Sequence, residues 1–233
     1  MHLTDIKKIS LIIIIILGIN STSKADGNLP YIDDKLFHFG FSLGYTTLNF
    51  AATPSLDSIG GKVYSVGVSK LQPGFTVGMI SDLRLNRYLN LRFTPTLLFS
   101  SRILNYTTDK NLTRESVFIG SIPISLPLLF KYSAERKENY RPYLIWGGGV
   151  SIDLSTDRTK SVLLKPLNFY TEFGAGCDIY FSFFKLAPEL KFAIGLNDVL
   201  DHNFVPSNPI DTKYTLAISK LTSQMLTLTF NFE

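Results

Sequence analysis

Cysteine is almost absent: Cys177 stands alone among 233 residues. That count excludes an internal disulfide, a CxxC redox pair and a zinc knuckle. Histidine is nearly as scarce, and three residues without ligand spacing mark no metal centre. The 23 Lys and Arg are scattered and form no basic block or stripe. No nucleic-acid partner is therefore expected, despite a net charge of +4 and a pI of about 9.0. Gly147-Gly148-Gly149 is not followed by Lys-Ser/Thr and a helix, so it is no phosphate loop; close packing is expected there. Beyond residue 25 there is no long uninterrupted apolar run. A helical membrane protein is excluded, and any crossing of a bilayer has to be as a barrel.

What is present is apolar for a water-soluble chain: 45% hydrophobic, 13% aromatic, mean hydropathy +0.16. The length suits one domain or at most two. Residues 1–25 read as a signal peptide, with Lys7 and Lys8, an apolar run from Leu11 to Ile19, and Ser23-Lys24-Ala25 before the expected cleavage. The run is short for a spanning anchor. Residues 26–233 then form the mature domain, opening on an irregular polar lead from Asp26 to Lys35.

Period-two alternation dominates the remainder, and it specifies strands with one apolar and one polar face. Eight are expected: Phe37–Phe50, Gly74–Leu83, Leu89–Ser100, Val117–Tyr132, Tyr140–Leu154, Leu167–Tyr180, Phe184–Leu196 and Ser223–Glu233. Phe37, Phe39, Phe41, Leu43 and Tyr45 share one face of the first; His38, Gly40, Ser42 and Gly44 share the other. Only the fifth, blurred by its glycines, resists face assignment. The connections alternate long (51–73, 101–115, 155–166, 197–218) and short (Asn86-Arg87, Ser133–Asn139, Phe181–Phe183). A barrel with periplasmic termini sorts its loops this way, whereas a soluble sandwich has no reason to. The fold expected is all-β: a closed antiparallel transmembrane β-barrel of eight strands, with the last strand paired to the first. Eight strands leave an interior that side chains fill. Phe37, Tyr88, Tyr132, Tyr140 and Phe232 are placed as an aromatic girdle at the periplasmic ends.

The inner faces carry both signs of charge: Arg84, Arg92, Lys131, Lys185 and Lys191 with Asp82, Glu172, Asp178 and Glu189. Buried charges need partners, so interior ion pairs are expected. His38 and Ser42, with Glu172 or Asp178, are the residue types of a hydrolase triad. Four residues along a strand separate the first two by roughly 13 Å, too far for direct contact. No catalytic, cofactor-binding or metal residue is assigned, no cofactor is expected, and the chain is expected not to be an enzyme. Pro95, Pro123, Pro127 and Pro188 fall within strands, where each removes a ladder donor. Pro123 and Pro127 either weaken one seam or lie near strand ends.

Several segments resemble a known family. L-F-H-F-G-F-S-L-G from Leu36, Q-P-G-F-T-V-G-M-I-S-D-L-R-L from Gln72, L-N-L-R-F-T-P from Leu89, I-S-L-P-L-L-F-K-Y from Ile124 and R-P-Y from Arg141 are similar to the PorT family of outer-membrane proteins of Bacteroidota. The resemblance implies an accessory component of the type IX secretion system, in contact with outer-membrane lipid and other envelope components. A structural barrel or adhesin, binding external partners through its long loops, is the alternative.

Overall fold

A computed structural model describes residues 28–29, 31–55, 64–68, 72–108, 114–154, 163–202, 204 and 216–233. The expected signal peptide and much of the expected long loops lie outside these residues. Eleven strands are described: β1 (Phe37–Pro54), β2 (Tyr64–Val68), β3 (Gln72–Arg84), β4 (Leu89–Phe93), β5 (Thr96–Thr108), β6 (Arg114–Ser121), β7 (Pro123–Ser133), β8 (Tyr140–Asp153), β9 (Leu167–Tyr180), β10 (Lys185–Gly195) and β11 (Ile218–Phe232). All their pairings are antiparallel. They run β1–β11–β10–β9–β8–β7–β4–β3 and return to β1. β1 is held on both sides, with Phe41 opposite Phe232 of β11 and Met79 of β3. The last strand does meet the first, and among the described residues the eight strands of that path pair in a ring, with β1 hydrogen-bonded on both sides.

The count of eleven replaces the expected eight for two physical reasons. First, the expected third strand is β4 and β5, and the fourth is β6 and β7. Prolines cause both interruptions, because Pro95 and Pro123 donate nothing to the ladder. No residue is gained or lost at either break: Leu89 opposes Tyr132, Thr96 opposes Ser125 and Ser100 opposes Ser121 in one continuous register. Second, the long connections hold more strand than expected. β1 runs on to Pro54 and β2 lies within the expected loop 51–73. β5 and β6 extend the 101–115 connection into a paired hairpin, Thr107 opposite Arg114.

Alternation explains the two faces. Phe39 and Met79 are each 70% exposed on the outer wall, as are the apolar Leu128, Leu190 and Phe173, while Ser42, Thr46, Thr76, Glu172 and Thr229 are buried in the lumen. β8, unassigned from sequence, turns Tyr143 and Ile145 inward and Leu144 and Trp146 outward. Its glycines and those of β9 make room for inward aromatic rings. A Cβ on Gly149 would stand 2.6 Å from the Tyr170 hydroxyl, and one on Gly176 would stand 2.5 Å from that of Tyr143. Leu129, Tyr143, Ile145 and Ala187 form a compact apolar cluster inside.

Candidate functional site

The end of the barrel where β1 begins and β11 finishes carries the chemistry. Arg92, 1% exposed, is its hub: its guanidinium meets Asp82 at 2.8 Å, Glu233 at 2.8 Å and Glu189 at 3.2 Å. Lys185 reaches Glu233 at 2.7 Å, Lys131 reaches Asp178 at 2.7 Å, and Lys191 lies between Glu172 at 3.4 Å and Glu189 at 3.6 Å. Tyr143 sits among them. Its hydroxyl donates to Glu189 at 2.8 Å, and Lys131 Nζ stands 4.1 Å from its ring centroid. Inward positions of six neighbouring strand segments converge here because period two aims each of them at the same axis. Every one of these charges has an opposite partner, which is the condition for burying it.

The expected ion-pair lining is thus present, with one exception. Arg84 lies at the rim and pairs with Asp34 at 3.2 Å. The triad residues do not assemble: Glu172 is committed to Lys191 and Asp178 to Lys131, and Ser42 Oγ, buried in the lumen, has no hydrogen-bond partner among the described residues.

Outside this floor lies a strap that the sequence reading treated as an irregular lead. Residues 28–29 and 31–36 lie across the same rim, with a 3-10 turn at Ile32–Asp34. Asn28 N–H donates to Asn139 Oδ1 at 2.8 Å, and Asn28 Nδ2 to the Tyr180 carbonyl at 3.0 Å. Asp33 accepts from the Tyr180 hydroxyl at 2.8 Å and faces Arg141 at 3.5 Å and Arg136 at 3.8 Å. Arg136 stacks 3.7 Å from the Tyr180 ring centroid and donates to the carbonyls of Leu29 and Asn28. Nearby, the turn after β9 presents Phe181, Phe183 and Phe184; Phe183 is 94% exposed. Of the five residues expected in an aromatic girdle, Phe37, Tyr132 and Tyr140 are exposed at this end, and Tyr88 and Phe232 are half-buried.

At the opposite end two connections meet. Leu164 bridges Leu200, and Val199 N–H donates to Leu221 O at 2.9 Å. Asp198 accepts from the N–H groups of Leu200 at 3.1 Å and Leu221 at 3.0 Å and lies 2.8 Å from His202 Nε2. Burial pushes its pKa up, but the Leu221 amide, His202 and the Leu200 amide together hold the carboxyl below its usual range.

Between floor and loops the lumen narrows to small voids lined by hydroxyls. Tyr170 hydrogen-bonds Ser125 across one of them. Tyr143, Tyr170, Asp33, Arg136 and Tyr180 were missed from sequence. The signal for the two inward tyrosines is the glycine opposite each on the neighbouring strand, Tyr143 with Gly176 and Tyr170 with Gly149, and it is legible only once the pairing is known.

Among solved structures, the outer membrane protein OprG from Pseudomonas aeruginosa superposes with a TM-score of 0.50 at 11% identity, covering 83% of this chain and 93% of that one. AlkL, solved by solid-state NMR in lipid bilayers, gives 0.45 at 14%, over 92% and 96%. PagL gives 0.38 at 11%, over 81% and 97%. PagL is described as an outer membrane enzyme, which corrects the expectation of a non-enzyme: a barrel of this type does not by itself exclude catalysis. No curated protein matches the sequence. Residues 23–201 match the outer membrane protein beta-barrel domain. With an apolar outer wall, a ring of paired strands and that match over most of its length, this chain belongs to the outer membrane β-barrel domain family and stands in contact with membrane lipid.

Proposed function

We propose that the barrel is an accessory component of protein export by the type IX secretion system, seated with both termini in the periplasm after removal of residues 1–25. The observation that carries this reading is the filled lumen at the terminal end. Arg92 and its partners leave no passage there for cargo, so a role in export has to be exercised through the rim and loops. The PorT-like motifs supply the link to that system. Gln72–Leu85, which carries the longest of them, includes Asp82 of the floor and Arg84 of the rim. The rim itself offers a protein partner exposed Phe183 and Tyr31 beside the charged turn Ser133–Asn139.

A strain lacking the gene tests the role. Cargo is expected to accumulate in the periplasm, and the full chain supplied in trans restores export. Normal secretion in the deletion strain refutes the role. Photo-crosslinking from Phe183 and Lys137 is expected to capture other envelope components of the export system. A second reading, a barrel that binds external partners, draws on the β5–β6 hairpin and on β2, which pairs with β5. It predicts normal secretion together with lost surface binding.

A further inference from the structure

The rim holds the strap through groups that the barrel positions by itself. Arg136, in the turn between β7 and β8, donates from Nε to the Glu138 carbonyl at 2.7 Å and lies 3.7 Å from the Tyr180 ring centroid. Glu138 has a φ of 54°, a left-handed conformation that a residue with a side chain adopts at a cost. The strained residue is thus the one whose carbonyl fixes Arg136. Arg141 is fixed in the same way, by the carbonyls of Ala134 at 3.0 Å and of Arg87. None of these contacts involves the strap. Two guanidinium groups and the Tyr180 hydroxyl therefore stand ready-made at the rim.

What they receive is read mostly by its main chain. Arg136 donates to the carbonyls of Asn28 and Leu29, and Asn139 Oδ1 accepts from the Asn28 amide at 2.8 Å. The Asn28 side chain adds one bond, to the Tyr180 carbonyl at 3.0 Å. Five residues further along, the Asp33 carboxylate accepts from the Tyr180 hydroxyl at 2.8 Å. It falls short of the guanidinium groups: Arg141 stands at 3.5 Å and Arg136 at 3.8 Å, longer than the roughly 2.7–2.9 Å of a charge-assisted hydrogen bond. Leu36 is pinned to the wall, its carbonyl accepting from Arg84 N–H at 2.9 Å, and this tether limits how far Asp33 can advance. Leu29 is left-handed as well, with a φ of 53°. The turn at Ile32–Asp34 has no side-chain cap bond and buries none of its residues, and Tyr31 is 77% exposed. The strap is polar-bonded, strained and uncovered, the marks of a weakly held element.

We propose that this rim is a binding site for an extended acidic peptide segment of a partner protein, and that Asn28, Leu29 and Asp33 occupy it in cis as placeholders. The ligand is defined by its chemistry. It offers two successive peptide carbonyls to Arg136, a main-chain N–H to Asn139 and, five residues onward, a carboxylate to Tyr180, Arg141 and Arg136. Free of the tether to β1, that carboxylate closes the remaining distance to both guanidinium groups, so a partner gains what the strap forgoes. The strap, held at high local concentration, keeps weak binders out. The inference names the kind of partner for the rim role proposed above and rests on that reading for the presence of a partner.

Fluorescence anisotropy tests this with the full chain in lipid nanodiscs and a fluorescein-labelled peptide of residues 27–36, G-N-L-P-Y-I-D-D-K-L. Asp33→Asn in the protein weakens the cis occupant and leaves the site intact. That protein is expected to bind the peptide about tenfold more tightly than the native protein does. Against it, the same peptide carrying Asp33→Asn is expected to bind about tenfold more weakly, the loss of a charge-assisted contact. A peptide of unrelated sequence that keeps only the residues matching Asn28 and Asp33 is expected to bind as the native peptide does. Adding Arg136→Ala or Tyr180→Phe to the Asp33→Asn protein is expected to weaken binding about tenfold. Heat-shifted mobility on gels verifies the fold of each variant, and Tyr180→Phe keeps the ring that packs on Arg136. No saturable binding to the Asp33→Asn protein overturns the proposal. So does equal affinity for peptides with and without the carboxylate, or loss of binding by the peptide of unrelated sequence. Peptide binding is read without cargo, so its failure and a failure of the export role are told apart.

Discussion

Replacing Arg92 with Met is the sharpest perturbation of the floor. The substitution keeps much of the side chain's volume and removes its charge. Three carboxylates lose a partner, but they do not lose equally. Glu233 keeps Lys185 at 2.7 Å, and Glu189 keeps Lys191 at 3.6 Å and the Tyr143 hydroxyl at 2.8 Å. Asp82 keeps only the Asn90 amide at 2.6 Å. The structure therefore leaves one carboxylate stranded, not three, and the expected cost is about 3–5 kcal/mol, the range for breaking one buried pair. Adding Asp82→Asn removes the stranded charge and should recover most of that loss, because a neutral amide can remain beside Asn90 at about 1–3 kcal/mol of residual desolvation. The assay is equilibrium unfolding by urea from lipid vesicles, followed through Trp146. It is the only tryptophan of the chain and lies on the outer wall, so its emission reports transfer from lipid to water. A single-variant loss below about 1 kcal/mol, the level of an exposed pair, would refute the hub assignment. So would a double variant no more stable than Arg92→Met alone.

Three further outcomes follow from features elsewhere. Gly176→Ala drives a methyl into the Tyr143 hydroxyl and should cost about 1–3 kcal/mol, as overpacking does; combining it with Tyr143→Leu should show a smaller loss than the two added separately. Asp33→Asn removes the carboxylate that holds Tyr180, Arg141 and Arg136, so the segment from Tyr31 to Leu36 should become cleavable by added protease while the barrel itself keeps its heat resistance on gels. Asp198 has its folded-state pKa held below the unfolded value near 3.9, so its stabilisation of the loop end is full above that pH and disappears as pH falls through the lower folded value. Amide protection at Leu200 and Leu221, corrected for the intrinsic exchange rate, should fall as pH drops below about 3.9, and that pH dependence should vanish in Asp198→Ala.

The parts of this fold that could be read in the sequence are those where lipid enforces a contrast between the two sides of a strand. β9 begins and ends at Leu167 and Tyr180 as the alternation predicts, because Phe169, Phe173 and Ala175 must face out while Glu172 and Asp178 must not. β5 from Arg102 to Thr108 escapes the same test, since polar residues on both faces carry no period-two signal. Tyr143 and Ile145 were invisible for another reason. An inward bulky side chain looks like an outward one until the glycine that accommodates it, on a different strand, is known to be opposite. Asp33 belongs to a third case: a single acidic residue in an irregular lead has no periodicity, and only tertiary contact with Tyr180 and Arg141 gives it a role. The prolines were legible as missing donors. Which neighbour they deprived depended on the pairing.

The interlocked charges at the terminal end have an electrical consequence. An inorganic ion travelling the length of the lumen would have to compete with Arg92, Lys131, Lys185 and Lys191 for carboxylates already bonded, and would do so away from water. A planar bilayer holding many copies should therefore stay electrically silent at modest voltage. Such a protein can be abundant in a cell envelope without making that envelope leaky to salt.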